Sequence, residues 1–179
     1  MKIDISGSIK IRGWMSEYEL QWLAEQASTH KFIVEIGSYA GRSTWALAKH
    51  TSGKVVAIDD FLGADTDRPL SKEESNNLTL EFRKNLQEFI DKKKLFILHP
   101  DDLKTAKGQG TKPDMVFIDG DHSYEGVSAD IKYWGANLQP GGLLCGHDSG
   151  HPPIQQALKD LIPDVKYQER TAIWYTIKD

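Results

Sequence analysis

Several protein classes are excluded by what this sequence lacks. It has one cysteine, Cys145, in 179 residues, so no disulfide can form within the chain. No apolar run approaches the roughly 18 residues of a membrane span, and the opening MKIDISGSIKIRGW has no long apolar core of a secretory signal. Basic charge is also sparse: Lys and Arg total 22 against 26 Asp and Glu, a formal net charge of -4. The one tight basic group, Lys92, Lys93 and Lys94, reads as a solvated helix end, and nothing could track a phosphate backbone. The expectation is a cytoplasmic protein that binds neither nucleic acid nor membrane. The length suits a single domain over 1–179, since domains usually hold about 100–150 residues.

What is present alternates in character. Ser16 and Glu19 form a capping-box pattern before YELQWLAEQA, so a first helix is expected near 17–29, within an N-terminal helical segment over 1–30. KFIVEIG, KVVAID, KLFILH, DMVFID and GLLCGH are apolar or β-branched runs of strand length. Segments of helical spacing separate them, among them SKEESNNLTLEFRKNLQEFI, which opens on a second capping box at Ser71 and Glu74. Two further strand candidates, VKYQ and TAIWYTI, are too close together for a crossover helix, so the last strand should run antiparallel. The expected fold is α/β: a doubly wound, seven-stranded, mostly parallel sheet with its last strand antiparallel and helices on both faces. Residues 60–75 are expected to be the mobile loop.

Two phosphate-binding signatures are missing as well. VEIGSYAGRST spaces Gly37 and Gly41 as G-x-x-x-G, with Tyr39 where a dinucleotide fingerprint needs its second glycine, and it lacks the Lys-Ser/Thr ending of a P-loop. Instead the strand delivers Glu35, which suits a cationic ligand better than a phosphate. KVVAIDD then ends in Asp59, placed to accept two ribose hydroxyls. A nucleoside carrying positive charge describes S-adenosylmethionine, whose sulfonium could favour the face of Tyr39.

DMVFIDGDHSYEG places Asp119 at a strand end, followed by Asp121, His122 and a potential N-cap in Ser123. GLLCGHD places His147 and Asp148 at the equivalent edge of the next strand. Adjacent strand ends should bring Asp119, His122, His147 and Asp148 together, and their carboxylates would repel unless a cation or proton sat between them. Oxygen donors suit Mg²⁺, Ca²⁺ or Mn²⁺, and an imidazole ligand favours Mn²⁺. His122 alone reads equally as a helix-start histidine or as a base, while Asp121 reads as a turn acid. His30, His50, His99 and His151 read as surface or turn residues, Cys145 as core, and the five tryptophans as packing.

At these residues the sequence resembles the class I S-adenosylmethionine-dependent methyltransferases, most closely the small family of macrocin O-methyltransferases related to catechol O-methyltransferase. The resemblance runs from about residue 30 to the end. VEIGSYAGRST resembles the cofactor loop through Glu35, Gly37, Tyr39, Gly41 and Ser43, AIDD supplies Asp59, and FIDGDHSYEG with GGLLCGHD is the most specific part. The resemblance implies an O-methyltransferase acting on a small molecule or sugar, with Asp119 and Asp148 binding Mg²⁺ or Mn²⁺; Asp119 is also expected at the cofactor, and His147, from its place beside them, at the metal. It also implies that His122 is the general base. His147 departs from the pattern, because the better-known metal-dependent members carry an acid there. No large substrate-binding insertion is evident, leaving the acceptor pocket open, completed by 60–75, or built by a second subunit of a homo-oligomer. A non-catalytic or metal-independent cofactor-binding protein is the alternative, and an NAD-dependent oxidoreductase a weaker one.

Overall fold

Ser16 and Ser71 start two helices by reciprocal capping, as the sequence suggests. In a computed structural model, which describes residues 3–63, 69–101 and 112–179, each serine accepts a hydrogen bond from the N–H of the glutamate three residues on. The glutamate in turn accepts from the serine N–H, so helix donors without an internal partner are satisfied. The helices that follow are α1 (Glu17–Thr29) and α3 (Lys72–Asp91). Between them, α2 (Arg42–His50) starts directly after Gly41. Later, α4 (Tyr124–Asn137) is capped by the Ser123 hydroxyl accepting from the Gly126 N–H. Pro152 and Pro153 begin α5 (Pro152–Leu161), where their missing N–H groups cost nothing.

Seven strands form one sheet: β1 (Phe32–Ile36), β2 (Lys54–Ile58), β3 (Leu95–Leu98), β4 (Met115–Ile118), β5 (Leu143–Gly146), β6 (Lys166–Tyr167) and β7 (Trp174–Ile177). Their order is β3-β2-β1-β4-β5-β7-β6, with β1 to β5 parallel and β7 antiparallel to both neighbours. The start of β1 is pinned by Asp114, whose carboxylate accepts from the Lys31 and Phe32 N–H groups.

Side-chain alternation sorts the core into two layers. Ile33, Ala57, Phe117 and Cys145 face α1, α2 and α3, whereas Val34, Ile58, Val116 and Leu144 face α4, α5 and Trp174. Phe82 of α3 is fully buried and packs edge-on to Phe61 at 5.3 Å between centroids. Phe82→Ala should therefore lower unfolding free energy by about 3–5 kcal/mol. Urea denaturation checks this, and a change within the roughly 0.5 kcal/mol typical of surface positions would contradict the packing.

Two expectations change. Trp14 is not a packing tryptophan: it precedes α1 and is 81% exposed, with one face near Tyr39. The segment expected as a loop over 60–75 ends early, because α3 takes over at Lys72; residues 64–68 lie outside the described residues. No helix among the described residues is long and apolar enough to cross a membrane.

Candidate active site

The register of the sheet assembles the site. Ile36 pairs with Ile118, and Ile118 with Gly146, so β1, β4 and β5 end level with one another. Gly37, Asp119 and His147 are the next residues, and their N–H groups donate to Ile58, Ile36 and Ile118 carbonyls at 3.0, 2.7 and 3.0 Å. Between β1 and β4 the strand order reverses, with β2 lying on the other side of β1; this is where open α/β sheets leave a crevice beyond their carboxyl ends.

On the β1 side, Glu35 is fully buried. Its Oε2 accepts from the Ser38 hydroxyl at 2.9 Å and from the Thr44 hydroxyl, while Oε1 has no hydrogen-bond partner among the described residues. Burial raises its pKa to about 7 against the opposing pull of the neighbouring Ser43, Thr44 and Ser38 hydroxyls. Ser43 thus faces Glu35 from the first turn of α2, whose start at Gly41 needs a φ of 93°. Asp59 is tied into the same loop: Oδ2 accepts from the Ser38 and Tyr39 N–H groups at 2.6 and 2.9 Å, and Oδ1 from Phe61 N–H at 2.6 Å. Its expected ribose role must coexist with this bracing, which leaves spare lone pairs on a carboxylate. Burial raises the Asp59 pKa.

Tyr39 is already supplied with a cation. The Arg12 guanidinium lies 4.4 Å from its ring centroid and donates to its hydroxyl, while the same guanidinium pairs with Glu81 at 2.7 Å. Trp14 approaches the ring at 4.9 Å. A recess of about 270 Å³ beside Arg12, Tyr39 and α3 lies apart from the acid and histidine cluster.

On the β4 and β5 side, Asp119, His122 and Asp148 each offer a ligand atom, all within 4.8 Å of one another. His122 Nε2 lies 3.1 Å from Asp148 Oδ2, and the carboxylate raises the imidazole pKa against the opposing effect of burial. The two histidines, His122 first, hold the Asp148 carboxyl well below its ordinary range. Asp119 is raised to about 7, chiefly by burial, with Asp148 and Glu35 adding to the rise and the imidazoles opposing it. Such an acid lacks a full counter-charge, so a cation fits this donor set. Asp121 is a turn acid, accepting from the Ser123 N–H at 2.8 Å.

His147 is placed differently from these three. Nδ1 lies 3.3 Å from Asp148 Oδ1 and 3.7 Å from Asp119 Oδ1, while Nε2 lies 3.1 Å from Glu19 Oε1 of α1. That last contact is bent away from the N–H direction, which makes it an ion pair more than an aligned hydrogen bond. Burial disfavours the charged ring, but Asp148 and Glu19 outweigh it and carry the His147 pKa to about 10. Glu19 moves to about 2, since His147 and the Ala172 and Ser16 N–H groups overcome its burial.

The pair sets a pH window. A depressed acid stabilises the fold above its unfolded value, 4.5, and loses that contribution as pH falls through about 2. A raised base stabilises fully below its unfolded value, 6.5, and loses it as pH rises through about 10. Thermal unfolding of the wild type should show the largest advantage over Glu19→Ala between pH 4.5 and 6.5. An advantage that does not vary with pH would contradict the pairing.

Two residues near the site carry no local signal of their placement. Glu19 was visible only as a cap, because nothing local signals a partner at position 147. His151 leads into α5 as its turn position suggests, yet its ring lies 5.8 Å from that of His122.

A family model described as a methyltransferase domain matches residues 34–149. The chain is also similar in structure to an O-methyltransferase from Bacillus cereus in complex with SAH, with TM-score 0.66 and 16% identity over 96% of this chain and 86% of that one. An O-methyltransferase from Streptomyces achromogenes involved in tomaymycin synthesis, in complex with SAM, gives TM-score 0.64 and 15% identity over 93% and 82%. A SAH-bound methyltransferase from Podospora anserina gives TM-score 0.65 and 17% identity over 93% and 80%.

Proposed function

The chain belongs to the methyltransferase-domain family, and from that premise we propose an S-adenosylmethionine-dependent O-methyltransferase, assisted by a divalent cation, acting on a hydroxyl of a small molecule or sugar. We place it in the cytoplasm and read 1–179 as one domain. The observation that carries the reading is the convergence of Asp119, His122 and Asp148 beside a loop in which Glu35 Oε1 is buried without a partner. A carboxyl oxygen left without a partner in the interior calls for a donor or a cation, which the ammonium and sulfonium of S-adenosylmethionine offer.

In this reading Glu35, Gly37, Tyr39, Gly41, Ser43 and Asp59 hold the methyl donor, with Asp119 at the junction of the donor and acceptor sides. The donor supplies a methyl group made electrophilic by its sulfonium. A Mg²⁺ or Mn²⁺ ion held by Asp119 and Asp148, with His147 at their flank, would supply a Lewis acid towards the acceptor hydroxyl. His122 removes the hydroxyl proton while the new C–O bond forms and the C–S bond breaks, leaving S-adenosylhomocysteine and a protonated imidazole. Glu35 is shielded from water on the donor side, and fixing donor and acceptor in line supplies much of the rate.

The test is release of S-adenosylhomocysteine in the presence of a panel of catechols and glycosides, with Mg²⁺, Mn²⁺ or EDTA. Release that needs an acceptor and falls at least tenfold with EDTA is expected, a metal contribution of several kcal/mol being ample for this. Acceptor-dependent release indifferent to EDTA would remove the cation from the account. A second reading is favoured by the same 4.8 Å grouping: His122 as a third metal ligand, with a soft preference for Mn²⁺ over Mg²⁺.

A further inference from the structure

Glu19 sits at a junction of three structural tasks. Its Oε2 accepts from the Ser16 N–H and hydroxyl at 2.7 and 2.9 Å, and its Oε1 accepts from the Ala172 N–H at 2.8 Å. The same Oε1 lies 3.1 Å from His147 Nε2. Beyond His147 the contacts continue: Nδ1 to Asp148 Oδ1 at 3.3 Å, then Asp148 Oδ2 to His122 Nε2 at 3.1 Å. Acid, imidazole, acid and imidazole thus alternate in a line from the buried start of α1 to the edge of the site. Exposure rises along that line, with the side chains of Glu19 and His147 8% and 10% exposed and those of Asp148 and His122 35% and 36%.

We propose that Glu19 is a positioning residue for the methyl-transfer base: it fixes the His147 ring, which aims the Asp148 carboxylate, which in turn orients His122. The inference rests on His122 acting as that base. Three features support it. An imidazolium with a carboxylate within 3.1 Å of one nitrogen and 3.3 Å of the other has its orientation biased by those two acids. The main chain of His147 is anchored separately, by the Trp174 indole N–H donating to its carbonyl at 3.1 Å, so Glu19 governs the side chain alone. Asp148 adopts a left-handed φ of 56°, which its own backbone does not favour, and its carboxylate is held at each oxygen by an imidazole. The N-terminal helix is therefore part of the site even though it contributes no group within reach of the reacting atoms.

Two measurements on wild type, Glu19→Ala, Glu19→Gln and Ser16→Ala decide this. The first is nitrogen-edited NMR of the histidine rings in the ligand-free protein, which needs neither cofactor nor acceptor. A solvent-protected Nε2–H signal from His147 should be present in the wild type and in Ser16→Ala, shifted in Glu19→Gln, and absent in Glu19→Ala. The second is methyl transfer from S-adenosylmethionine to catechol as probe, with Mn²⁺. Glu19→Ala should lower kcat about 10–100-fold, the usual effect of losing such a supporting partner, with KM for S-adenosylmethionine unchanged and partial recovery in Glu19→Gln. If Glu19→Ala fails to fold, the signal shift and kcat loss in Glu19→Gln stand in its place. A protected His147 signal that is identical in both Glu19 variants overturns the inference, as does an unchanged kcat. If catechol is not methylated by any variant, the functional reading fails on that probe while the NMR result still decides the positioning.

Discussion

His122→Ala should lower the rate of methyl transfer by about 10²–10⁴-fold, the range general-base catalysis contributes, while S-adenosylhomocysteine affinity stays nearly unchanged. The separation follows from position. His122 belongs to the β4 and β5 side of the crevice, paired with Asp148, whereas the loop read as the cofactor cradle is organised by Glu35 and Asp59 on the β1 and β2 side. Calorimetry with S-adenosylhomocysteine and turnover assays on the same variant test both halves. Mn²⁺ affinity separates the two roles open to this residue: a base leaves it intact, and a ligand takes much of it away. Loss of S-adenosylhomocysteine binding would contradict both roles.

Gly37→Ala is expected to have the other large effect. Gly37 adopts a φ of 80°, and a Cβ there would lie 2.2 Å from the Asp119 carbonyl oxygen and 2.6 Å from the Gly120 Cα. These are backbone atoms that cannot rotate aside, so the β1 and β4 loops must part. Overpacking of this kind costs about 1–3 kcal/mol, and a left-handed non-glycine residue adds about 1–2 kcal/mol. Because the parting moves Glu35 away from Asp119, S-adenosylhomocysteine affinity should fall at least tenfold, equivalent to about 1.4 kcal/mol. Urea unfolding and calorimetry would show both losses. Unchanged values in both would mean that the two loops do not share this contact.

The legible parts of this fold were those encoded locally. Capping boxes at Ser16 and Ser71 and the short spacing between VKYQ and TAIWYTI depend on residues a few positions apart, and the structure forms both boxes and reverses β7. The convergence of Asp119, His122 and Asp148 was readable because strand-end geometry in a parallel sheet follows from topology. Partner choice across long separations was not readable. Nothing near Glu19 announces His147, and nothing near Arg12 announces Tyr39, so the Tyr39 ring looked free for a sulfonium when a guanidinium already lies 4.4 Å from it. Asp59 shows the same limit: its position at the end of β2 was evident, but its bonds to the Ser38, Tyr39 and Phe61 N–H groups depend on how the first loop folds back.

Whether this crevice binds S-adenosylmethionine beside a divalent cation is decided by titration calorimetry of the purified protein with S-adenosylhomocysteine and with NAD, each with and without Mn²⁺. Saturable binding of S-adenosylhomocysteine at one site is expected, with no binding of NAD and a separate Mn²⁺ binding event that Asp119→Asn together with Asp148→Asn removes. Binding of NAD in place of S-adenosylhomocysteine would contradict that expectation.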